Sequence, residues 1–495
     1  MTFYFEIPDG PQNGQERGKP AKGYLMAKKV ARKEVRMRKS LEELLKEKII
    51  ILDGATGTNL QKRGMPGGVC PEQWIIEHPQ VLIGLQREYA AAGCDIVYAP
   101  TFSGNAIKLK EYGLEDKVDE INRRLVEISR EAVGGDIFVA GDMTMTGQQL
   151  APMGTLTFEA LLGCYEQQAR ALAAAGVDVF IVETMMSLQE TRAAVMAIRR
   201  VCDIPVMVTM TFNADGHTLY GTDGVTALIV LQSLGVAAFG MNCSCGPEHM
   251  GPMLEAMKPY AEVPLIVKAN AGLPEYVDGK TVFSMEPETF AAENVKLVEK
   301  GAALVGGCCG TTPEHIRALS RAVGRLAPRA GAGQKASVQE TSGRKCKAVL
   351  DGGPLILTTE RRTWFFDDDI KKLNVCSVNV KNDEELCRDL AEGCFDVLYD
   401  RMEDIADEAP DLITVCVDGE GIDGRRVMAD IFQEMDLSIA PVAIASENME
   451  TLEWGLRHYP GRALVAVPLS GGGKENAWKL AKWYGAAAVP INELL

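Results

Sequence analysis

Cys243 and the adjacent pair Cys308–Cys309 are the residues of this chain whose type and setting best suit chemistry. Cys243 follows a strand-like run, Ala237–Met241, and the pair follows another, Ala303–Val305. Three thiolates brought together from two strand ends can hold one metal ion. Zinc favours tetrahedral sulfur and nitrogen ligation, at about 2.3 Å to sulfur, and three protein ligands leave a fourth position open for chemistry. The pair lies within Gly306-Gly307-Cys308-Cys309-Gly310, where glycines give the backbone freedom that two consecutive ligands need. Against this stands the behaviour of buried cysteines as small hydrophobes, and a vicinal disulfide is a further reading of the pair. Cys245 lies one step further into its loop and ranks behind Cys243.

Polar groups gather at other strand-like ends. Asp53-Gly54-Ala55-Thr56-Gly57-Thr58 follows Ile49–Leu52, Thr101 follows Ile96–Ala99, Glu183 follows Val179–Val182, and Asn270 follows Leu265–Val267. Asp53 and Glu183 suit a cationic group such as a substrate ammonium. Their plainer uses are a helix N-cap for Asp53 and a rim salt bridge for Glu183. The glycines of the Asp53–Thr58 loop permit close backbone approach, but the loop lacks a P-loop lysine, so phosphate binding is weakly supported. Asn270 can donate to a carboxylate or simply form a turn.

The elements that must position these groups are legible in the hydrophobic pattern. Eight short apolar, β-branched runs fall between residues 41 and 325; they are the six named above together with Ile137–Ala140 and Val206–Met210. Helix-period segments such as Gln80–Ala92, Phe158–Ala175 and Leu188–Val201 lie between them. Runs apolar on both faces, alternating with helices, predict a parallel sheet covered by helices. Eight repeats at this length predict an α/β fold, a (β/α)8 TIM barrel, with an open doubly wound sheet as the alternative. In such a barrel the active site forms at the C-terminal strand ends, where the cysteines, acids and amide all fall.

Residues 326–347, rich in Gly, Ala, Ser and charge, read as a linker. Residues 348–495 resume a βα pattern with seven strand-like runs, among them Leu355–Thr358, Val375–Val380 and Asp396–Tyr399. They are too few for a second full barrel, which needs about 200 residues or more, and predict a smaller, incomplete-barrel-like α/β domain. Residues 1–40 carry ten Lys and Arg and read as a basic, flexible arm. A nucleic-acid arm, or a true start at Met26 or Met37, are the other readings of that segment.

The remaining composition excludes function classes. With 52 Lys and Arg against 68 Asp and Glu, the net charge of −16 argues against nucleic-acid or anionic-membrane partners. The start lacks the apolar core of a signal peptide, and the longest apolar stretch, Val225–Met241, is broken by Gln232, Ser233 and Gly235. Thirteen cysteines are too sparse for a disulfide scaffold and suit a reducing cytoplasm.

Six segments together resemble the homocysteine S-methyltransferase family: Asp53–Thr58, Ala99-Pro-Thr-Phe102, Val182-Glu-Thr-Met185, Met241-Asn-Cys243, Asn270-Ala-Gly-Leu-Pro274 and Gly306-Gly-Cys-Cys-Gly-Thr-Thr-Pro-Glu-His-Ile316. The resemblance implies a (β/α)8 barrel, zinc on Cys243, Cys308 and Cys309, and the homocysteine amino group on Asp53 and Glu183. Within the family, the Asn-Ala-Gly-Leu-Pro segment and the appended domain look most like the N-terminal, homocysteine-binding part of cobalamin-dependent methionine synthases. Residues 348–495 are similar to the first part of the pterin-binding barrel that follows there, through Asp351–Pro354, Thr451–Pro460 and Trp478–Val489.

The polar signatures of that pterin domain have changed. Thr359-Glu360-Arg361 stands where Asn-Glu-Arg is expected, Tyr399-Asp400-Arg401 for Asp-Val-Asn, and Ala445-Ser446-Glu447 for Asp-Ser-Ser. These departures argue against folate. An Asp-x-His-x-x-Gly cobalamin signature is absent from the sequence, so methylcobalamin would arrive on a separate corrinoid protein. The expected reaction is attack of a zinc-bound homocysteine thiolate on that methyl group, giving methionine. The alternatives are direct use of S-methylmethionine or betaine, and a non-catalytic zinc-binding scaffold.

Overall fold

The computed structural model of the chain describes residues 39–277, 280–324, 326, 355–366, 370–435, 437–468 and 472–494. The expected arm and linker fall outside them, apart from Lys39, Ser40 and Leu326, as does Asp351–Pro354. The chain divides into two compact units, Met1–Glu43 and Leu44–Leu495. In the first, Ser40 N donates to Glu43 Oε2 at 2.7 Å and Glu43 N to Ser40 Oγ at 3.2 Å, a capping box. The second carries everything described below.

Its first sheet is all parallel and holds eight strands: β1 (Ile50–Ile51), β2 (Ile96–Ala99), β3 (Phe138–Met143), β4 (Val179–Met185), β5 (Val206–Met210), β6 (Ala238–Asn242), β7 (Leu265–Ala269) and β8 (Ala302–Gly307). They run in the order β1-β8-β7-β6-β5-β4-β3-β2. The ring closes between β1 and β2, where Leu52 bridges Ile96, Asp95 N donates to Ile51 O at 2.7 Å and Asp53 N to Ile96 O at 3.1 Å. The fold is therefore a (β/α)8 barrel rather than an open sheet. Side chains alternate along each strand. Phe180 and Val182 pack outward on the helices, which turns Val179, Ile181 and Glu183 inward. The same register turns Tyr98, Asp142, Asn242 and Lys268 inward, near the C-terminal strand ends.

The helices of the shell start and stop where side chains satisfy their free backbone groups. Thr157, Ser187 and Asp223 cap Phe158–Ala175, Leu188–Val201 and Gly224–Ser233 through their side-chain oxygens, each cap worth about 1 kcal/mol. Gly93 and Gly176 end two helices in left-handed conformations, with φ of 98° and 83°. Among the described residues, no helix is long and apolar enough to cross a membrane.

The second sheet has five parallel strands in sequence order: β11 (Val375–Asn379), β12 (Leu412–Cys416), β13 (Val442–Ala445), β14 (Leu464–Val467) and β15 (Ala487–Pro490). Right-handed connections put its helices on one face. A hairpin of β9 (Leu355–Thr358) and β10 (Thr363–Phe366) covers the other, burying Leu355 and Leu357 against Leu412, Ala443, Leu464 and Ala487. The sequence reading is corrected at Asp396–Tyr399, which is not a strand but the start of helix Asp396–Asp407. Leu398, Met402 and Ile405 are its buried residues, a helical spacing that carries past the four-residue run.

The second sheet domain packs on the outer helices of the barrel, and one apolar cluster runs through both. Arg192 Nη2 donates to Leu456 O at 3.1 Å, Gln189 Nε2 to His458 O at 3.0 Å and Arg199 Nη1 to Trp483 O at 2.7 Å. At Gly485 a Cβ would stand 2.6 Å from the Ser233 carbonyl carbon, so only glycine admits this approach.

Candidate metal and substrate site

The three cysteines meet over the end of β7, which lies between β6 and β8 in the ring. Cys243 N donates to Lys268 O at 3.1 Å, Cys308 N to Ala269 O at 2.6 Å, and Ala271 N to Cys309 O at 3.0 Å. The exit of β7 is thus the strut on which both cysteine loops hang. Cys243, Cys308 and Cys309 each offer a sulfur within 4.8 Å of the others, and Cys243 Sγ lies 3.9 Å from Cys309 Sγ. Tetrahedral zinc with bonds of about 2.3 Å needs sulfurs about 3.8 Å apart, so the trio fits that ion. Cys245, the second-ranked candidate, is not part of the cluster.

Local backbone strain accompanies this convergence. Cys243 and Ser244 have φ of 61° and 64°, and Thr184, beside Glu183, has 60°. Such left-handed conformations cost about 1–3 kcal/mol each for residues with a side chain. On the other flank, Thr311 Oγ1 donates to Cys308 O at 2.7 Å and accepts from Ala55 N at 3.0 Å, tying the cysteine loop to the Asp53–Thr58 loop. A Cβ on Gly307 would lie 2.3 Å from Thr311 Oγ1. The next helix, Pro313–Val323, is anchored by His315, whose Nδ1 accepts from Thr312 N at 3.2 Å while Nε2 meets Met285 O at 2.9 Å. Left to themselves the sulfurs share charge unequally. Hydrogen bonds from Cys308 and Cys309 pull Cys243 down to about 3, and the bond to Cys243 pushes Cys308 up to about 11.

Beside the sulfurs lies a wall of buried charge. Asp53, Asp142, Glu183 and Lys268 are each less than one-tenth exposed. Asp53 Oδ2 accepts from Tyr98 N at 2.8 Å, and Lys268 Nζ pairs with Asp53 Oδ1 at 3.1 Å. Lys268 Nζ also lies 3.9 Å from Glu183 Oε2 and 4.0 Å from the centre of the Tyr98 ring, within cation–π range. Burial raises Asp142 well above the usual carboxylate range, with the Glu183 charge adding to it. Burial also lifts Glu183 to about 7, against the pull of Lys268. Burial works to lower Lys268, but Asp53 and Glu183 overcome it and keep the amine charged.

The other expected site residues are distributed around this wall. Gly54 is packed so that a Cβ would lie 2.7 Å from Tyr89 Oη. Ala55 O accepts from Tyr89 Oη at 2.8 Å and from Asn59 Nδ2 at 2.7 Å. Thr56 precedes a short helix beginning at Gly57, and Thr58 Oγ1 is buried without a partner. Asp53 itself caps no helix. Thr101 is fully buried, and its hydroxyl serves the backbone of Asp142, donating to Asp142 O at 2.8 Å and accepting from Asp142 N at 3.0 Å. Asn270 is anchored by its N–H on Cys245 O at 3.1 Å, and its Oδ1 is buried without a partner.

Sequence reasoning placed Lys268 and Asn242 at strand ends without giving them a role, and passed over Asp142. The available signal was a charged or amide residue inside an otherwise apolar strand. A cavity of about 720 Å³ lies elsewhere, at the C-terminal ends of β11–β13 among Lys381, Arg388, Asp418 and Glu447. The strand-end chemistry, not the volume, marks the site. Tyr399-Asp400-Arg401, expected at a strand end, sits within a helix.

Methionine synthase of Mycobacterium leprae (strain TN) is 30% identical over 453 residues, which cover 86% of this chain and 36% of that protein. Methionine synthase of Mycobacterium tuberculosis (strain ATCC 25618 / H37Rv) is 28% identical over 448 residues, with the same coverage. The chain therefore spans little more than a third of the length of these curated relatives. Among solved structures, the metallated homocysteine methyltransferase MmuM of Escherichia coli aligns with a TM-score of 0.48 at 23% identity, over 57% of this chain and 98% of that one. The profile of the homocysteine S-methyltransferase family matches residues 50–323, more than half of the sequence and the whole of the barrel, and the chain belongs to that family of methyltransferases.

Proposed function

We propose that this chain transfers a methyl group to the sulfur of homocysteine, forming methionine, with Cys243, Cys308 and Cys309 holding zinc. The observation that carries the reading is the meeting of three sulfurs within 4.8 Å at the barrel mouth, beside a wall of buried carboxylates. Zinc, when bound there, would supply a Lewis acid that makes a substrate thiol give up its proton near neutral pH. The chain's own residues do the rest. Asp53 and Glu183 form the acid wall for the substrate's ammonium end. The Asp53–Thr58 loop, with Thr101 behind Asp142, lines the approach, and Asn270 faces the carboxylate end. Holding the amino acid at both ends turns a collision into a positioned in-line attack. The new S–C bond forms as the donor's bond to the methyl group breaks.

The donor we propose is methylcobalamin carried on a separate protein. Similarity to the methionine synthases extends through 86% of the chain and so into the second sheet. Large apolar side chains stand exposed on the connections that follow the strands at the sulfur-bearing end of the barrel: Met153, Leu219, Leu273 and Tyr276, the last 80% exposed and in a short hairpin strand. Such a rim suits a protein partner more than a small donor. The altered polar signatures of the second domain favour a structural or docking role over folate chemistry. Three free thiols also suit a reducing cytoplasm.

The test offers homocysteine with methylcobalamin, methyltetrahydrofolate, S-methylmethionine and betaine in turn, and measures methionine. Methionine with methylcobalamin alone is the expected result. Product with S-methylmethionine or betaine instead would replace the proposed donor. No product with any donor, despite bound zinc, would leave a zinc-binding scaffold.

A further inference from the structure

Zinc held by Cys243, Cys308 and Cys309 sets a selectivity problem. Metal-binding cysteines are thiolates, and the thiolate is the nucleophilic form of cysteine. A substrate thiolate on the same ion is a fourth sulfur of like chemistry, and only that one must take the methyl group. The contacts of Cys308 answer part of this problem. An asparagine side chain offers two amide hydrogens. Asn242 Nδ2 directs them to Thr184 Oγ1 at 2.9 Å and to Cys308 Sγ at 3.9 Å. Asn242 stands beside Lys268 in the register of β6 and β7, and both side chains turn inward. The charge of Lys268 reaches the Cys308 sulfur as well. Cys243 is served within its own loop, by the backbone N–H of Ser244.

A donor or a cation beside a thiolate stabilises its charge, and a thiolate stabilised in this way is the poorer nucleophile. We propose that Asn242 keeps Cys308 out of the methyl transfer: its amide hydrogen engages the ligand sulfur, so that the substrate sulfur is the one that reacts. Asn242 is thus a positioning residue, which acts through Cys308 and touches neither the methyl group nor the substrate. Lys268 backs it electrostatically. This inference rests on the zinc and homocysteine reading and adds to it what spares the protein's own ligands. It is separate from the bonds between Asn242 and Thr184, which fix the geometry of the two loops, because the amide has one hydrogen for each task.

The test treats the zinc-saturated full chain with methyl iodide in the absence of homocysteine. A ligand thiolate attacks the carbon, the S–CH3 bond forms as the C–I bond breaks, and iodide leaves. Peptide mass spectrometry at low conversion gives the methylation of Cys308 relative to Cys309, its neighbour on the same loop and the same ion. Asn242→Asp keeps both bonds to Thr184, because a carboxylate accepts from the N–H and the hydroxyl alike, but it has no hydrogen for the sulfur. The ratio should rise about 10-fold, as a hydrogen bond to a charged group is lost. Asn242→Ala, loaded with excess zinc, should raise it as well and stands in if the Asp variant does not fold. Thr184→Val loosens the clamp but leaves the amide, and should keep the wild-type ratio. Elemental analysis checks that each protein is zinc-loaded before treatment. An unchanged ratio in either folded, zinc-loaded Asn242 variant, or an equal rise in Thr184→Val, would overturn the assignment while leaving the zinc reading in place. A wild-type chain that takes up no zinc would overturn that reading and this one with it.

Discussion

Asn242 holds Thr184 by two hydrogen bonds, accepting from Thr184 N at 3.1 Å and donating to Thr184 Oγ1 at 2.9 Å. Asn242 directly precedes Cys243 and Thr184 directly follows Glu183, so one amide ties the sulfur side of the site to its acid side. Both Thr184 and Cys243 sit in left-handed backbone that other contacts must hold in place. Replacing Asn242 with Ala removes the clamp and leaves the folded core otherwise intact. Zinc affinity, read by competition with a chelator, should fall about 10- to 100-fold, the usual cost of losing a group that orients metal ligands. Unchanged affinity would mean that the cysteine loops hold their geometry without it.

Arg192 should behave as the pin between the barrel and the second sheet domain. It is 1% exposed, donates to Leu456 O across the interface, and burial lowers its guanidinium to about 10. Arg192→Met keeps much of the packing but strips the Leu456 carbonyl of its donor. A loss of about 2–4 kcal/mol is expected in denaturant unfolding, with the single transition splitting as the second sheet melts first. A single transition at the wild-type midpoint would show that the interface rests on its apolar contacts alone.

The same interface should weaken in acid. His458 stacks on Trp454 at 3.8 Å, meets Trp454 O through Nδ1 at 2.8 Å, and lies 3.6 Å from Glu159. Burial lowers it from 6.5 to about 4. The folded protein therefore keeps His458 neutral while the unfolded chain takes up a proton below pH 6.5. Stability is lost as pH falls from about 6.5 to about 4, and this share stays flat below that, amounting to at most roughly 3 kcal/mol. The measurement is the difference in acid slope between the wild type and His458→Gln. The wild type should lose more; parallel slopes would remove His458 from the account.

What the sequence showed and hid follows from how far each signal reaches. The barrel strands were legible because runs such as Val206–Met210 are apolar on both faces. The cysteine pair was legible because glycines flank it. Lys268 and Asp142 were hidden because a buried charge has meaning only through its partners. Those partners, Asp53 and Glu183, come from other strands far along the chain. Asp396–Tyr399 misled because a four-residue apolar and aromatic run fits strand and helix alike. Thr363–Phe366 was passed over because its strand character comes from pairing with Leu355–Thr358.

The account stands on Cys243, Cys308 and Cys309 sharing one ion. The most direct measurement is the zinc content of the purified chain beside that of its Cys308→Ala and Cys245→Ala variants, by elemental analysis. One zinc per chain in the wild type and in Cys245→Ala, with its loss together with methyl transfer in Cys308→Ala, is the predicted result. Full zinc retained in Cys308→Ala would contradict it.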